Sequence, residues 1–481
     1  MKYEPADSSW ATTVVVLGAG PAGIASAYAM SKRKLGQIQV FESAPMVGGN
    51  SSSFMIDGIW CDFGSHRFHP VADPVVLTDV KRMLGPDLLL QPRHGRIRLS
   101  GRWIRFPLRM GNAMSHLPVS FFASLFVDSI LKPFRSRSPG SQTFSSILHD
   151  GLGPTISNNF YFPYVKKLWG REPDELAVTL AERRVSGNSI GRIAGKILRF
   201  LPGLRSPTTG RFYYPKRGFG QIVETMADRA VAQGAQFNLN SKISRIGHEN
   251  GRITEICFIS NEAETSFRTN TILSTIPIPT LISLMDPPPP SKVSDAAKAI
   301  HYRGMILLYL VLETDRFTEY DAHYFPELSI PISRMSEPKN YNSASDPAGL
   351  TILCAELPCD PGDIWWGMDD EALGKKLCGW LGEVGLHVAV PIRRCHSRRL
   401  THAYPVYDLK YSEHFEVMDA WLQGIDGLLN FGRQGLFAHD NTHHAFAMAY
   451  AAVECIDKNG KINREKWKNF RSEFKNHVVE D

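Results

Sequence analysis

Gly18-Ala19-Gly20-Pro21-Ala22-Gly23 is the stretch of this chain best suited to chemistry, because glycines at this spacing let a backbone close around an anion. It follows the apolar run Val14-Val15-Val16-Leu17, and a second apolar run, Ile38 to Phe41, ends at Glu42. The order predicts a strand, a glycine turn, a helix, a second strand and an acid. Gly18 permits the tight turn, Gly20 lets the backbone approach a pyrophosphate, and Gly23 lets the helix pack closely on the strand. A helix starting near Pro21 aims its uncapped N–H groups and positive dipole end at the phosphates. Glu42 falls 19 residues past Gly23, where a carboxylate can accept the hydrogen bonds of a ribose. An ordinary glycine turn would not need both strands and the acid in register. The stretch predicts dinucleotide binding.

Glu42 is followed by Ser43-Ala44-Pro45-Met46-Val47-Gly48-Gly49-Asn50. A glycine pair so soon after the ribose acid resembles the Glu-x(5)-Gly-Gly pattern of FAD proteins, in which the chain runs close beside the phosphates. No basic residue directly follows Glu42 to pair with a 2′-phosphate, which disfavours NADP. FAD is the cofactor expected.

The elements that must position these residues belong to a large chain. Its 481 residues exceed one compact core and suit two domains. The 43% hydrophobic content argues against extended disorder. A net charge of +6 suits small anionic ligands or an anionic lipid surface, and without a Lys/Arg run it gives no ground for nucleic acid as a partner. The seven cysteines are scattered and odd in number, with no zinc-type spacing, and read as reduced thiols. Met1 to Ser9 is polar, so no signal peptide is expected and the localisation expected is cytoplasmic. No stretch is long and apolar enough to span a bilayer. Two segments still suggest peripheral contact with the inner face of a membrane. Phe121 to Val127 leads to Ile130-Leu131 and then Lys132, Arg135 and Arg137, while Ile190, Ile193, Ile197, Leu198 and Leu201 alternate with Arg192, Lys196, Arg199 and Arg205. The preferred reading is a pair of core-facing helices with solvated basic faces.

The fold class expected is α/β: a discontinuous Rossmann-like FAD-binding domain with an inserted mixed α+β substrate domain. Residues 1–70, 212–278 and 408–481 are assigned to the first, and 71–211 with 279–407 to the second. The first insert reads as mostly helical. The second mixes strands, Met305 to Leu312 and Thr351 to Leu357, with a helix near Glu371 to Glu383. The basic stretch Lys458 to Lys475 reads as a solvated helix.

Along nearly its whole length the chain resembles the FAD-dependent amine-oxidase clan, which includes protoporphyrinogen oxidase, phytoene desaturase and UDP-galactopyranose mutase. Tyr214-Pro215-Lys216-Arg217-Gly218-Phe219-Gly220-Gln221, followed by Ile243-Ser244-Arg245-Ile246, is similar to the clan's Pro-x-Gly-Gly segment and adenine-contacting strand. Gly432-Arg433 and the helix after it resemble its C-terminal flavin signature. The resemblance implies cofactor contacts from Gly18, Gly20, Pro21, Ala22, Gly23, Glu42, Gly48, Gly49, Asn50, Gly64, Ser65, His66, Ile243, Thr275, Gly432, Arg433, Asn441, Thr442 and His443.

Other segments resemble the mutase-like branch. Asp62-Phe63-Gly64-Ser65-His66-Arg67-Phe68-His69 is similar to a Gly-x-His-x-Phe-His turn that lies against the flavin, and Arg98 to Leu108 to a substrate-side hairpin. Arg183 falls 14 residues past Trp169, the spacing of a diphosphate-gripping arginine. The resemblance implies substrate contacts from Phe106, Trp169, Arg183, Tyr404, Phe437 and His439, and catalytic roles for His66, Arg183 and Arg433. Two tyrosines of the mutases fall, by spacing, on Phe437 and His439, which argues against UDP-galactopyranose itself as the substrate. Bland readings stand beside these. Arg183 with Arg184 could be a solvated face, Trp169 could be core, and His66 could be a satisfied polar residue. His443 and His444 lack a metal partner at useful spacing, so no metal is expected.

The function expected is an FAD-dependent oxidoreductase. It would take hydride to flavin N5 from a small sugar-linked molecule, nucleotide- or lipid-diphosphate, or a similar anion. The alternatives are a redox-neutral mutase using reduced FAD as nucleophile for sugar ring contraction, and oxidation of an apolar substrate in the manner of protoporphyrinogen oxidase or phytoene desaturase. A flavin-bound scaffold without turnover is the weakest reading. Oligomeric state is not legible.

Overall fold

Val14 to Leu17 is wholly buried, as expected of a strand covered on both faces. In the computed structural model, which describes residues 13–108, 110–132, 142–184, 210–341 and 347–479, it is the middle strand of a five-stranded parallel sheet. The strands run in the order Leu428–Asn430, Thr271–Ser274, Thr13–Leu17, Gln37–Phe41 and Gln236–Asn238. Alternation divides the core. Val14 and Val16 pack with the helices Pro21–Arg33, Gln221–Ala232 and Thr442–Glu454, whereas Val15, Leu17 and Phe41 pack on the opposite face. That second face is covered in part by a sheet ordered Ala263–Arg268, Arg252–Ser260, Lys242–Glu249 and Met285–Asp286.

A seven-stranded sheet builds the rest. Its order is Ile392–Pro405, Tyr302–Leu312, Thr351–Pro358, Arg334–Ser336, Ala322–Tyr324, Gly95–Leu99 and Arg102–Phe106. The pairs are antiparallel except where Ala322–Tyr324 runs parallel to Gly95–Leu99. The hairpin from the first insert thus completes a sheet begun in the second.

Two expectations are corrected. The Val119–Leu131 helix meets the core only in part: Phe121 and Phe122 pack half-buried against the cluster around Ile97, Ile104 and Leu117, but none of its residues is fully buried, and Phe126 is 67% exposed. The basic stretch near the C-terminus is not simply solvated either. Its helix, Arg464–Phe474, is amphipathic, with Trp467 buried against Phe431 and Phe474 against Trp467. The stretch holding Ile190 to Leu201 lies outside the described residues. No disulfide joins the seven cysteines. Among the described residues no helix is long and apolar enough to cross a membrane.

Candidate active site

At the glycine turn, Gly18 takes φ +92° and its N–H donates to the Phe41 carbonyl at 2.8 Å. A Cβ on Gly23 would stand 1.9 Å from the Gly18 carbonyl oxygen, so helix and strand can cross here only over glycine. Gly20 is different. A Cβ there would meet nothing within 4 Å, and one on Gly49 would meet only the Gly20 Cα, at 3.3 Å. The two glycines line an open trough at the start of the Pro21–Arg33 helix, where Gly20 has no side chain to cap the first-turn N–H groups. A pyrophosphate fits this donor set.

The expected cofactor residues gather around that trough. Glu42 is fixed by N–H donors from Ala19 and Ala44, each at 2.8 Å. The Ser241 N–H donates to the Glu42 carbonyl at 2.8 Å, which brings the strand carrying Ile243 alongside. Gly48 donates to the Ala19 carbonyl at 2.7 Å, holding Gly48-Gly49-Asn50 against the turn. The Thr275 hydroxyl donates to the Leu17 carbonyl, and a Cβ on Gly432 would come within 2.7 Å of the Ala22 Cβ. Ser51 and Thr442 share a hydroxyl hydrogen bond of 3.0 Å, and Asn441 caps the Thr442–Glu454 helix in a capping box with His444. A second helix N-terminus therefore faces the same region.

Gly64-Ser65-His66 forms the next wall. Gly64 takes φ +98°, and the Ser65 N–H donates to Glu356 Oε1, which also accepts from Nε and a terminal nitrogen of Arg334. His66 stacks on Phe219 with ring centroids 5.1 Å apart. Burial, then the positive charges of Arg334 and Arg433, push its pKa down to about 3, so the imidazole is neutral. Its buried Nδ1 and the buried Nε2 of His443 have no hydrogen-bond partner among the described residues. Burial and His477 lower His443 to about 4. Two orphaned ring nitrogens near a Cβ-free trough fit a long polar cofactor. Behind this wall, Arg67 is held by Asp321 and the Tyr324 and Tyr341 hydroxyls.

Three of the six expected substrate residues, Trp169, Tyr404 and His439, come together in one wall. Trp169 donates from Nε1 to the Pro405 carbonyl at 2.9 Å, and its ring lies 5.6 Å from both Tyr404 and His439. Arg433 donates to the carbonyls of Asp440 and Ala403 and lies over the Tyr404 ring at 5.6 Å. Arg183 does not face Trp169. It pairs with buried Asp440 at 2.8 Å, and Asp440 also bonds His477. Arg184 takes the position over Trp169 instead, 5.4 Å from the ring, and reaches His439 Nε2 at 3.3 Å. Burial, then the charges of Arg433, Arg184 and Arg183, push His439 well below the usual histidine range. Phe106 lies apart, against Tyr324, whose ring Arg334 overlies at 5.9 Å. Phe437 stands outside this wall: at φ +47° it packs among Tyr302, Tyr407 and Tyr411, and its carbonyl accepts from the Tyr407 hydroxyl.

Sequence reasoning missed Arg184, Arg334, Glu356 and Asp440. The first had a signal, the Arg183-Arg184 pair, but spacing alone could not say which of two neighbours 100° apart on a helix faces inward. Arg334 had a weaker one, an arginine inside the apolar run Ile330 to Met335. Asp440, His444 and His477 converge as a metal cluster would. Asp440 is already engaged by Arg183 and His477, and His444 Nδ1 accepts the Asn441 N–H, so the group reads as an ion-pair network.

Comparison with known proteins agrees with this geometry. The family model described as flavin containing amine oxidoreductase matches residues 21–385. The chain belongs to that family of flavin-dependent oxidoreductases, and its cofactor is FAD. A Mycobacterium tuberculosis protein, AofH, provisionally named a flavin-containing monoamine oxidase, is 27% identical over 303 residues. That match takes in 60% of this chain and 62% of the relative's length. Among solved structures, reduced UDP-galactopyranose mutase superposes with TM-score 0.77 at 19% identity, over 95% of this chain and 97% of that one. Cyclohexylamine oxidase from Brevibacterium oxydans superposes with TM-score 0.62 at 15% identity, over 92% and 98%. At these identities the structures share the fold.

Proposed function

We propose that this chain is an FAD-dependent oxidoreductase acting on a small anionic molecule, a sugar linked to a nucleotide or lipid diphosphate. One observation carries the reading: guanidinium groups of Arg184 and Arg433 meet at an aromatic wall of Trp169 and Tyr404, around a histidine their charge helps keep neutral. Guanidinium is the side chain that grips phosphate through parallel hydrogen bonds, and the aromatic faces suit a base or sugar ring. Residues of the Gly18–Gly23 turn, Glu42, Gly48–Asn50, Thr275, Gly432 and Thr442 would hold FAD, which supplies the hydride-accepting chemistry when bound.

The chain's own groups then do the positioning. Arg184 and Arg433 anchor the anion, and Trp169 and Tyr404 hold the adjoining ring between them. Arg183 sets the junction by fixing Asp440. Neutral His66 offers a hydrogen-bonding nitrogen without adding charge, and its stack on Phe219 fixes the ring plane. A lipid-linked substrate would bring the protein against a membrane surface.

The fold shared with reduced UDP-galactopyranose mutase supports one second reading, a redox-neutral ring-contracting mutase. Uridine diphosphate titrated into the FAD-loaded protein should quench tryptophan fluorescence in a salt-sensitive manner. Failure of every nucleoside diphosphate and of pyrophosphate to bind would remove the proposed substrate class. Turnover of a sugar nucleotide only after dithionite reduction under argon, with no net electron flow, would replace the oxidoreductase by the mutase.

A further inference from the structure

His439 stands between two arginines that both turn donors towards its ring. Arg184 reaches its Nε2 at 3.3 Å and Arg433 its Nδ1 at 3.4 Å. A guanidinium only donates, whereas a neutral imidazole has one acceptor nitrogen and one N–H. One of the two contacts is therefore a hydrogen bond, and the other sets donor against donor. The ring is held in this conflict. It is 2% exposed, its centroid lies 5.6 Å from that of Trp169 and 5.2 Å from that of Tyr404, and its main-chain N–H donates to the Tyr407 hydroxyl at 2.7 Å.

Among the described residues no acid meets the ring. Asp440, next in sequence, turns one carboxylate oxygen to Arg183 and the other to His477. Burial pushes the phenols of Tyr404 and Tyr407 up, so both are neutral. The Phe162–Trp169 helix brings uncharged Trp169, while its Lys166 pairs with Glu172 and its Lys167 donates to the carbonyls of Phe325, Glu327 and Ile332. Arg433 donates to the carbonyls of Asp440 and Ala403 and has no carboxylate partner among the described residues. A bound anion supplies both missing things. It gives the arginine facing the ring's N–H an acceptor, and its charge offsets the cations that keep the ring from taking a proton.

We propose that His439 is the specificity-determining residue of the anion site, taking a proton from solvent when a diphosphate seats on Arg184 and Arg433. The diphosphate oxygens draw the guanidinium donors off the ring, the ring's lone pair is released to the proton, and no bond in the ligand breaks. Ligands carrying two or more negative charges, which offset both arginines, are thereby favoured over neutral and singly charged ones. The inference rests on the reading of this wall as a diphosphate site and adds the proton to it.

The experiment is calorimetric titration of uridine diphosphate into the FAD-loaded protein, in buffers of different ionisation enthalpy, beside the variant His439→Gln. The slope against buffer enthalpy counts protons, and those the ligand itself takes up are common to both proteins. At about pH 6.5, where an ordinary histidine is half charged, the wild type should take up about half a proton more than the variant. Its affinity should rise about tenfold more than the variant's between about pH 7.5 and 5.5. Equal proton uptake by the two proteins overturns the proposal and leaves the diphosphate site standing. Wild type that binds no diphosphate overturns both. Should the variant lose its flavin, wild-type affinity for UDP-glucose, whose diphosphate stays ionised across that range, must show the tenfold rise by itself, and a flat profile overturns the proposal.

Discussion

The nucleotide trough and the arginine-lined wall differ in how they are made. The trough is main chain: glycines at Gly18, Gly20, Gly23 and Gly49, amide donors, and two helix starts. The wall is side chain, and its guanidinium groups are held by single acids or by carbonyls. A backbone site tolerates almost no change at its crossing points but little depends on charge. A side-chain site can be retuned residue by residue, and its histidines answer to every cation near them.

The largest expected break in this contrast is Gly23→Val. Its Cβ would overlap a backbone carbonyl that cannot move aside, so the variant should emerge unfolded or colourless. A yellow, stable G23V protein would show that the helix and strand need not cross so closely.

Acid should act on the side-chain region next. Burial lowers His66 to about 3, His443 to about 4 and His444 to about 3 from 6.5, so the unfolded chain takes up protons first. Their stabilising contribution is complete above pH 6.5 and is lost as pH falls towards 3–4. Urea unfolding at a series of pH values should show stability falling across that window, and H66N with H443N should flatten the slope.

Arg183 and Arg184 sharpen the comparison further. Arg183→Ala strands buried Asp440 and should cost about 3–5 kcal/mol of stability. Arg184→Ala should leave stability within about 0.5 kcal/mol, while weakening diphosphate binding on the order of tenfold. Melting curves and a fluorescence titration on both variants decide it, and the opposite pattern would return the anion to Arg183.

Asp62, bonded to the Phe219 on which His66 stacks, should act against the histidines. It accepts from the Ser53 and Tyr214 hydroxyls and the Phe219 N–H, yet burial raises its pKa to about 6. Here the sign reverses. Its contribution is complete below about pH 3.8 and lost as pH rises through 6, at most about 3 kcal/mol. Asp62→Asn should remove that opposing slope from the unfolding profile.

The same contrast explains what could be read without coordinates. The glycine turn and Glu42 are legible because a parallel strand, its turn and its helix are contiguous, and their spacing is dictated by covalent geometry. The wall draws Trp169, Arg184, Tyr404, Arg433 and His439 from separate stretches, so tertiary contact rather than spacing decides which faces inward. Phe437 shows the limit. Spacing put it on the substrate, whereas a left-handed backbone turns its ring into the core. The Val119–Leu131 helix shows another: its composition marks an apolar helix but not which of its sides meets protein.

The parallel sheet has one consequence for how the protein comes into being. A ribosome delivers Gly18 to Gly23 early, but the edge strand Leu428–Asn430, Gly432 and Thr442 emerge only hundreds of residues later. Flavin capture must therefore wait for the last part of synthesis, and a truncated nascent chain would carry half of a grip with nothing to close it.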